Sequence, residues 1–122
     1  PDIQLDAARL LAGEFQPIGP EEWILYKPRW DAFYRTPLEA HLRRLGVDTL
    51  VFCGCNFPNC PRSSIYGASN RDFRLVLATD AVSGLYERGL EELRGIGVTL
   101  MTTREIDDWV RRSVTAASDA LG

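Results

Sequence analysis

Three cysteines, Cys53, Cys55 and Cys60, fall close together in a chain of 122 residues, and one of them stands where a thiol can act as a nucleophile. Cys60 opens an expected helix running to about Asn70, with Pro61 at the first helical position, where a missing N–H costs nothing. Free amides and the positive end of the dipole at a helix start favour thiolate over thiol. The same amides can hold an oxyanion, and the irregular turn Asn56-Phe57-Pro58-Asn59 ahead of Cys60 can aim further N–H groups at one point. A small buried cysteine without chemistry is the competing reading. Lys27 ends the apolar run Trp23-Ile24-Leu25-Tyr26, and on the same rim it would set a cation beside the sulfur. A solvated strand-end lysine is the alternative.

Trp30, Phe33 and Phe57 fall in loops at that rim, either as walls of an apolar substrate pocket or as cover for the sheet edge. Cys53 alternates into a strand interior and reads as core. Asp80, with the small neighbours Ala81 and Ser83, suits capping of the next turn better than catalysis. His41 falls on the polar side of a short helix beside Arg43 and Arg44, as a solvated residue. The spacing C-x-C-x4-C has no second cysteine pair, and the one histidine lies in a separate helical pattern, so neither metal nor other cofactor is expected.

The elements that must position these residues follow from periodicity. Weak helical spacing covers Asp2 to Leu11 and stops at Gly13. After the turn signal Gly19-Pro20, the bulky run Trp23 to Tyr26 predicts a short buried strand. Thr36 can cap a helix with Pro37 first and Glu39 third, striped by Leu38, Leu42 and Leu45 and stopped by Gly46. Val47 to Cys53 is an unbroken apolar, β-branched stretch of the kind covered on both faces in parallel sheets. A strand over Phe73 to Thr79, a helix over Leu85 to Leu93, a strand over Val98 to Thr102 and a closing helix from Thr103 to about Ala117 complete the alternation. The capping box at Thr103-x-x-Ile106 lacks its acid, although Glu105 and Asp107 sit in the first turn. Strand and helix alternate four times, the pattern of an open α/β sheet whose sites gather at the carboxyl ends of the strands.

Composition bounds the rest. Apolar residues make up 45% and charged ones 25%, ordinary globular usage that sets aside disordered and repeat classes. Fourteen basic against seventeen acidic residues leave a net charge of −3, with no basic block for phosphates or anionic membranes, so neither nucleic acid nor a membrane is an expected partner. The start Pro1-Asp2-Ile3-Gln4 has no signal-peptide regions, and clustered odd cysteines suit a reducing, cytoplasmic setting.

Taken together, Lys27-Pro28-Arg29-Trp30-Asp31-Ala32-Phe33 with Thr36 and Leu38, then Gly46-Val47-Asp48-Thr49-Leu50-Val51-Phe52-Cys53-Gly54, then Cys60, then Val76-Leu77-Ala78-Thr79-Asp80-Ala81, resemble the isochorismatase-like cysteine hydrolase family. Order and spacing match from about residue 17 to residue 110. The resemblance implies a three-layer α/β/α, Rossmann-like fold with a six-stranded parallel sheet, and hydrolysis of a small-molecule amide or ureido substrate by an Asp, Lys and Cys triad. By position, Lys27 corresponds to the catalytic lysine and Cys60 to the nucleophile. The resemblance also implies a cis peptide between Cys55 and Asn56, turning the Asn56 N–H, beside that of Cys60, toward the substrate carbonyl oxygen. Family members that hydrolyse the isochorismate ether typically lack the nucleophilic thiol, so Cys60 points to C–N cleavage.

Two departures stand out. Asn56-Phe57-Pro58-Asn59 and Pro61 replace the small or β-branched residues usual around the nucleophile, which bears on substrate choice. The apolar strand ending in the general-base aspartate has no counterpart, since Asp2 and Asp6 lie in a helical pattern. The expectation is therefore that residues 1–122 form the C-terminal two thirds or so of one domain lacking its first strands. A second polypeptide or fragment would supply those strands and the aspartate, in an assembly expected to be a homo-oligomer. A non-catalytic subunit using this surface for binding or assembly is the alternative.

Overall fold

Two apolar runs, Leu50 to Cys53 and Leu75 to Ala78, lay down the centre of the sheet. The computed structural model describes residues 3–121. In chain order these form α1 (Ala7–Leu11), β1 (Gln16–Gly19), β2 (Glu22–Ile24), α2 (Leu38–Arg44), β3 (Thr49–Gly54), α3 (Cys60–Ser69), β4 (Arg74–Val82), α4 (Glu87–Gly95), β5 (Thr99–Met101) and α5 (Thr103–Leu121). Strands β3, β4 and β5 pair in parallel in that order, with Leu50 opposite Leu75, Phe52 opposite Leu77 and Leu77 opposite Leu100. Leu75 and Leu77 face one side of β4 and Val76 and Ala78 the other, and all four are buried, so β4 is covered on both faces. The core gathers Phe57, Ile65, Ala68, Phe73 and Leu93 around Leu75 and Leu77.

The chain is thus the α/β fold with a parallel sheet that the alternating pattern predicts, with corrections at its margins. Glu22–Ile24 does not join the parallel sheet: it pairs antiparallel with Gln16–Gly19 in a separate two-stranded hairpin. Trp23 and Ile24 are half-buried there and Tyr26 is 47% exposed. The turn signal at Gly19-Pro20 marks the hairpin bend between β1 and β2, closed by Glu21 at φ 53°. Among the described residues the parallel sheet therefore has three strands. The outer edge of β3 is unpaired, and Val51 is 45% exposed with Cys53 also exposed, so the expected two-sided cover of this strand and the core placement of Cys53 both fail.

His41 is likewise not solvated. The hairpin folds onto α2 so that Phe15 stacks on the imidazole at 4.0 Å and Trp23 meets it edge-on at 4.5 Å. Its Nε2 is buried without a hydrogen-bond partner. At the other end, the cap of α5 lies one residue earlier than the sequence pattern suggested. Thr102 Oγ1 accepts from the Glu105 N–H at 3.2 Å while Glu105 Oε1 accepts from the Thr102 N–H at 3.0 Å, a complete capping box. Asp80 caps this helix as well, accepting from the Thr103 N–H at 2.7 Å and Oγ1 at 2.8 Å. These bonds hold its carboxyl below the usual aspartate range. Asp6 caps α1 through the Arg9 N–H, and Asp2 lies outside the described residues.

Candidate active site

Gly54 ends β3 at φ 118°, a left-handed geometry that glycine adopts freely, and turns the chain off the sheet toward Cys60. The peptide between Cys55 and Asn56 is cis. The loop is tied to the end of β4 by one residue, Ser83. Its N–H donates to the Gly54 carbonyl at 3.1 Å, its carbonyl accepts the Phe57 N–H at 2.8 Å, and its Oγ donates to Asn56 Oδ1 at 2.6 Å. Asn59 donates back to the Asn56 carbonyl at 3.0 Å, closing a tight turn, after which α3 begins at Cys60 with Pro61 in its first turn.

Lys27 follows the hairpin, and the loop after it crosses α3. Ser64, buried on α3, accepts the Ala32 N–H at 2.9 Å and donates to the Trp30 carbonyl at 3.4 Å. Asp31 Oδ1 accepts the Phe33 N–H at 2.8 Å, and the carboxylate packs on Gly67 of α3, where any Cβ would come within 2.5 Å of it. So anchored, the loop brings Lys27 Nζ to 3.1 Å from Cys60 Sγ, with a second bond to the Arg29 carbonyl at 2.9 Å. Both residues are half-buried. Among the described residues neither the Asn56 nor the Cys60 N–H donates a hydrogen bond, and no carboxylate bonds Lys27 or Cys60.

The sulfur faces a cavity of about 240 Å³ lined by Ala32, Phe52, Cys53, Gly54, Cys55, Pro61 and Ser64. Lys27 lines a neighbouring cavity of about 260 Å³ with Pro28, Arg29 and Trp30. Of the three aromatics expected to wall the pocket, only Trp30 is at the rim, 62% exposed. Phe33 and Phe57 are core, because each has a closer apolar partner. Phe33 packs against Phe73 and lies under the Arg71 guanidinium, and fully buried Phe57 meets Tyr86 edge-on at 5.5 Å. The positioning residues Ser64 and Ser83 were not assigned roles from sequence. Ser64 falls one turn after Cys60, the spacing that shares a helix face, and that was the available signal. Among the described residues no three His, Cys, Asp or Glu side chains are grouped as metal ligands, and no helix is long and apolar enough to cross a membrane.

Residues 7–105 match the Isochorismatase domain family, and the chain belongs to that family. The sequence is 33% identical over 103 residues to ureidoacrylate amidohydrolase RutB of Methylobacterium radiotolerans, covering 84% of this chain and 38% of that protein. It is 29% identical over 90 residues to an Arabidopsis thaliana protein described as a probable inactive nicotinamidase, covering 70% of this chain and 46% of the other. The fold superposes on the crystal structure of an isochorismatase family protein from Desulfovibrio vulgaris with a TM-score of 0.69 at 34% identity, covering 78% of this chain and 52% of that one. The chain thus spans about half, or less, of the length of the relatives it matches.

Proposed function

We propose that the protein is a cysteine hydrolase that cleaves a C–N bond of a small amide or ureido compound through a thioester on Cys60. The observation that carries this is the 3.1 Å contact between the Lys27 ammonium and the Cys60 sulfur, made across 33 residues of sequence. An ammonium that donates to a sulfur at a helix start stabilises the charged nucleophile electrostatically. The sulfur attacks the carbonyl carbon, and charge gathers on the carbonyl oxygen. The N–H groups of Asn56 and Cys60 take that charge, which suits their lack of other partners. The amine or ammonia leaves with a proton, and water then hydrolyses the thioester to a carboxylic or carbamic acid and the free thiol.

The proton shuttle in this proposal is an aspartate on a strand brought to the open edge of β3 by a second polypeptide or fragment. The unpaired β3 edge and the exposed Val51 and Cys53 support that placement. Similarity to a ureidoacrylate amidohydrolase supports the C–N chemistry. A second reading, a non-catalytic subunit, is favoured by the lack of any carboxylate on Lys27 or Cys60 among the described residues, and by the likeness to the Arabidopsis protein.

Ammonia release from a panel of primary amides and ureido acids, measured on the protein together with the polypeptide or fragment that carries the aspartate strand, separates the two. The hydrolase gives release that Cys60→Ser abolishes and Lys27→Met lowers by about a hundredfold or more. No release from any panel member, or release untouched by Cys60→Ser, supports the subunit instead.

A further inference from the structure

We infer that Cys55 is a resolving thiol for Cys60: a hydroperoxide oxidises the Cys60 sulfur, and Cys55 captures it in a reversible disulfide that takes the nucleophile out of use. The inference rests on Cys60 being the nucleophile and adds a modification site that hydrolysis does not use. Cys53, Cys55 and Cys60 all line the cavity of about 240 Å³ that the reacting sulfur faces, and no charged side chain shares that lining. The Lys27 ammonium at 3.1 Å prepares the sulfur for a peroxide oxygen as it does for a carbonyl carbon, because the thiolate is the reactive form with both. A reactive cysteine poised next to a second thiol is the arrangement that halts oxidation at the disulfide.

Of the two neighbours, the fold favours Cys55. Cys55 and Cys60 flank the turn Asn56 to Asn59, which the Asn59 N–H closes on the Asn56 carbonyl at 3.0 Å. A turn so closed holds its end residues within about 7 Å, so the residues on either side begin near the disulfide span of about 5.5–6 Å between Cα atoms. Cys53 lies inside β3, between Phe52 opposite Leu77 and Gly54 opposite Val82, where the ladder to β4 restrains it. The strand proposed for the β3 edge also covers Cys53. Cys55 lies past the end of β3 and is exposed. In the first step the Cys60 sulfur bonds one peroxide oxygen, the O–O bond breaks, and hydroxide leaves with the electron pair and takes a proton from solvent. The Cys55 thiol then gives up its proton and bonds the Cys60 sulfur, and the S–O bond breaks to release water. The two sulfurs lose two electrons and the hydroperoxide gains them.

The test treats the reduced protein, freed of reductant, with a small excess of hydrogen peroxide at pH 7. The intact mass should fall by two hydrogen atoms, and dithiothreitol should restore it. Iodoacetamide under denaturing conditions then marks the thiols that remain. Fragmentation of the tryptic peptide Leu45 to Arg62, which carries all three cysteines, should place a single label on Cys53. Cys55→Ser should lose the disulfide and let Cys60 run on to the sulfinic acid, a gain of two oxygen atoms that dithiothreitol does not reverse. Cys53→Ser should keep the disulfide, and Lys27→Met should slow its formation about tenfold. A label on Cys55, a pair between Cys53 and Cys55, or sulfinic acid forming as fast in the unaltered protein as in Cys55→Ser overturns the resolving role and leaves the nucleophile intact. Cys60 no more reactive than Cys53 and Cys55 toward both peroxide and iodoacetamide overturns both readings, which keeps the two failures distinct.

Discussion

Ser64 accepts the Ala32 N–H at 2.9 Å, a bond that spans 32 residues and stitches the Lys27 loop to the helix that presents Cys60. Both partners of the proposed catalytic pair hang from this contact, one turn of helix away from the sulfur. Ser64→Ala leaves the Ala32 N–H and the Trp30 carbonyl without their buried partner, in a part-buried place. The expected outcome is a stability loss of about 1–2 kcal/mol in urea denaturation. Iodoacetamide labelling of Cys60 should also slow, as Lys27 drifts from the sulfur. An unchanged Cys60 rate would mean that Lys27 is placed by something else.

The loop before the nucleophile depends on Phe57, which is fully buried and packed edge-on against Tyr86. Gly89 of α4 makes room for that ring, since a Cβ there would lie 2.7 Å from Phe57 Cε2. Gly89→Ala should therefore cost about 1–3 kcal/mol by overpacking. Phe57→Ala should cost about 3–5 kcal/mol by opening a cavity, with thermal melting as the measurement. Near-neutral values for both would place the ring at the surface, as the alternative of a pocket wall required.

Asp80 gives the fold an acid-sensitive joint. Its carboxyl is held below the usual value of 3.8, first by the Thr103 hydroxyl and then by the Thr103 N–H. The folded state thus prefers the charged form, so the contribution is present above pH 3.8 and is lost as pH falls through the lower folded value. Urea midpoints measured from pH 6 to pH 2 should drop across that acid range, and Asp80→Asn should flatten the drop at Asp80's share while lowering the midpoint at pH 6. An identical acid profile in the variant would contradict the cap.

Much of this was legible in the sequence, and the reason differs by element. Helix α3 was readable almost to the residue and strand β4 at its start, though β4 runs three residues past the expected end at Thr79, because Cys60-Pro61 and the run Leu75 to Ala78 carry local signals that tertiary packing reinforces. Cys60 was readable as a candidate because helix starts after sheet strands gather sites in α/β folds, whereas Lys27 reaches the sulfur from the loop after a separate hairpin and not, as the apolar run before it suggested, from the rim of the parallel sheet. The hairpin was not, since Pro17 sits inside β1 and pairing of β1 with β2 is a tertiary choice that apolar runs do not reveal. The solvated reading of His41 and the pocket-wall alternative for Phe33 and Phe57 fail for a common reason, while the cover alternative for the two phenylalanines holds: a one-dimensional pattern assigns a face or a loop, and burial depends on which element folds over it. Phe15 and Trp23 cover His41, and Tyr86 covers Phe57. Cys53 erred in the opposite direction, since β3 reads as a central strand and lies at an edge.

The pairing of Lys27 with Cys60 is tested most directly by the iodoacetamide rates of the three cysteines in one sample at pH 7, read by peptide mapping. Cys53 and Cys55 are exposed and Cys60 is half-buried, so access alone ranks Cys60 last. A sulfur held as a nucleophile by the Lys27 ammonium should instead label about tenfold faster than either neighbour, and Lys27→Met should remove that advantage. Labelling that follows exposure, with Cys60 slowest and indifferent to Lys27→Met, would contradict the account.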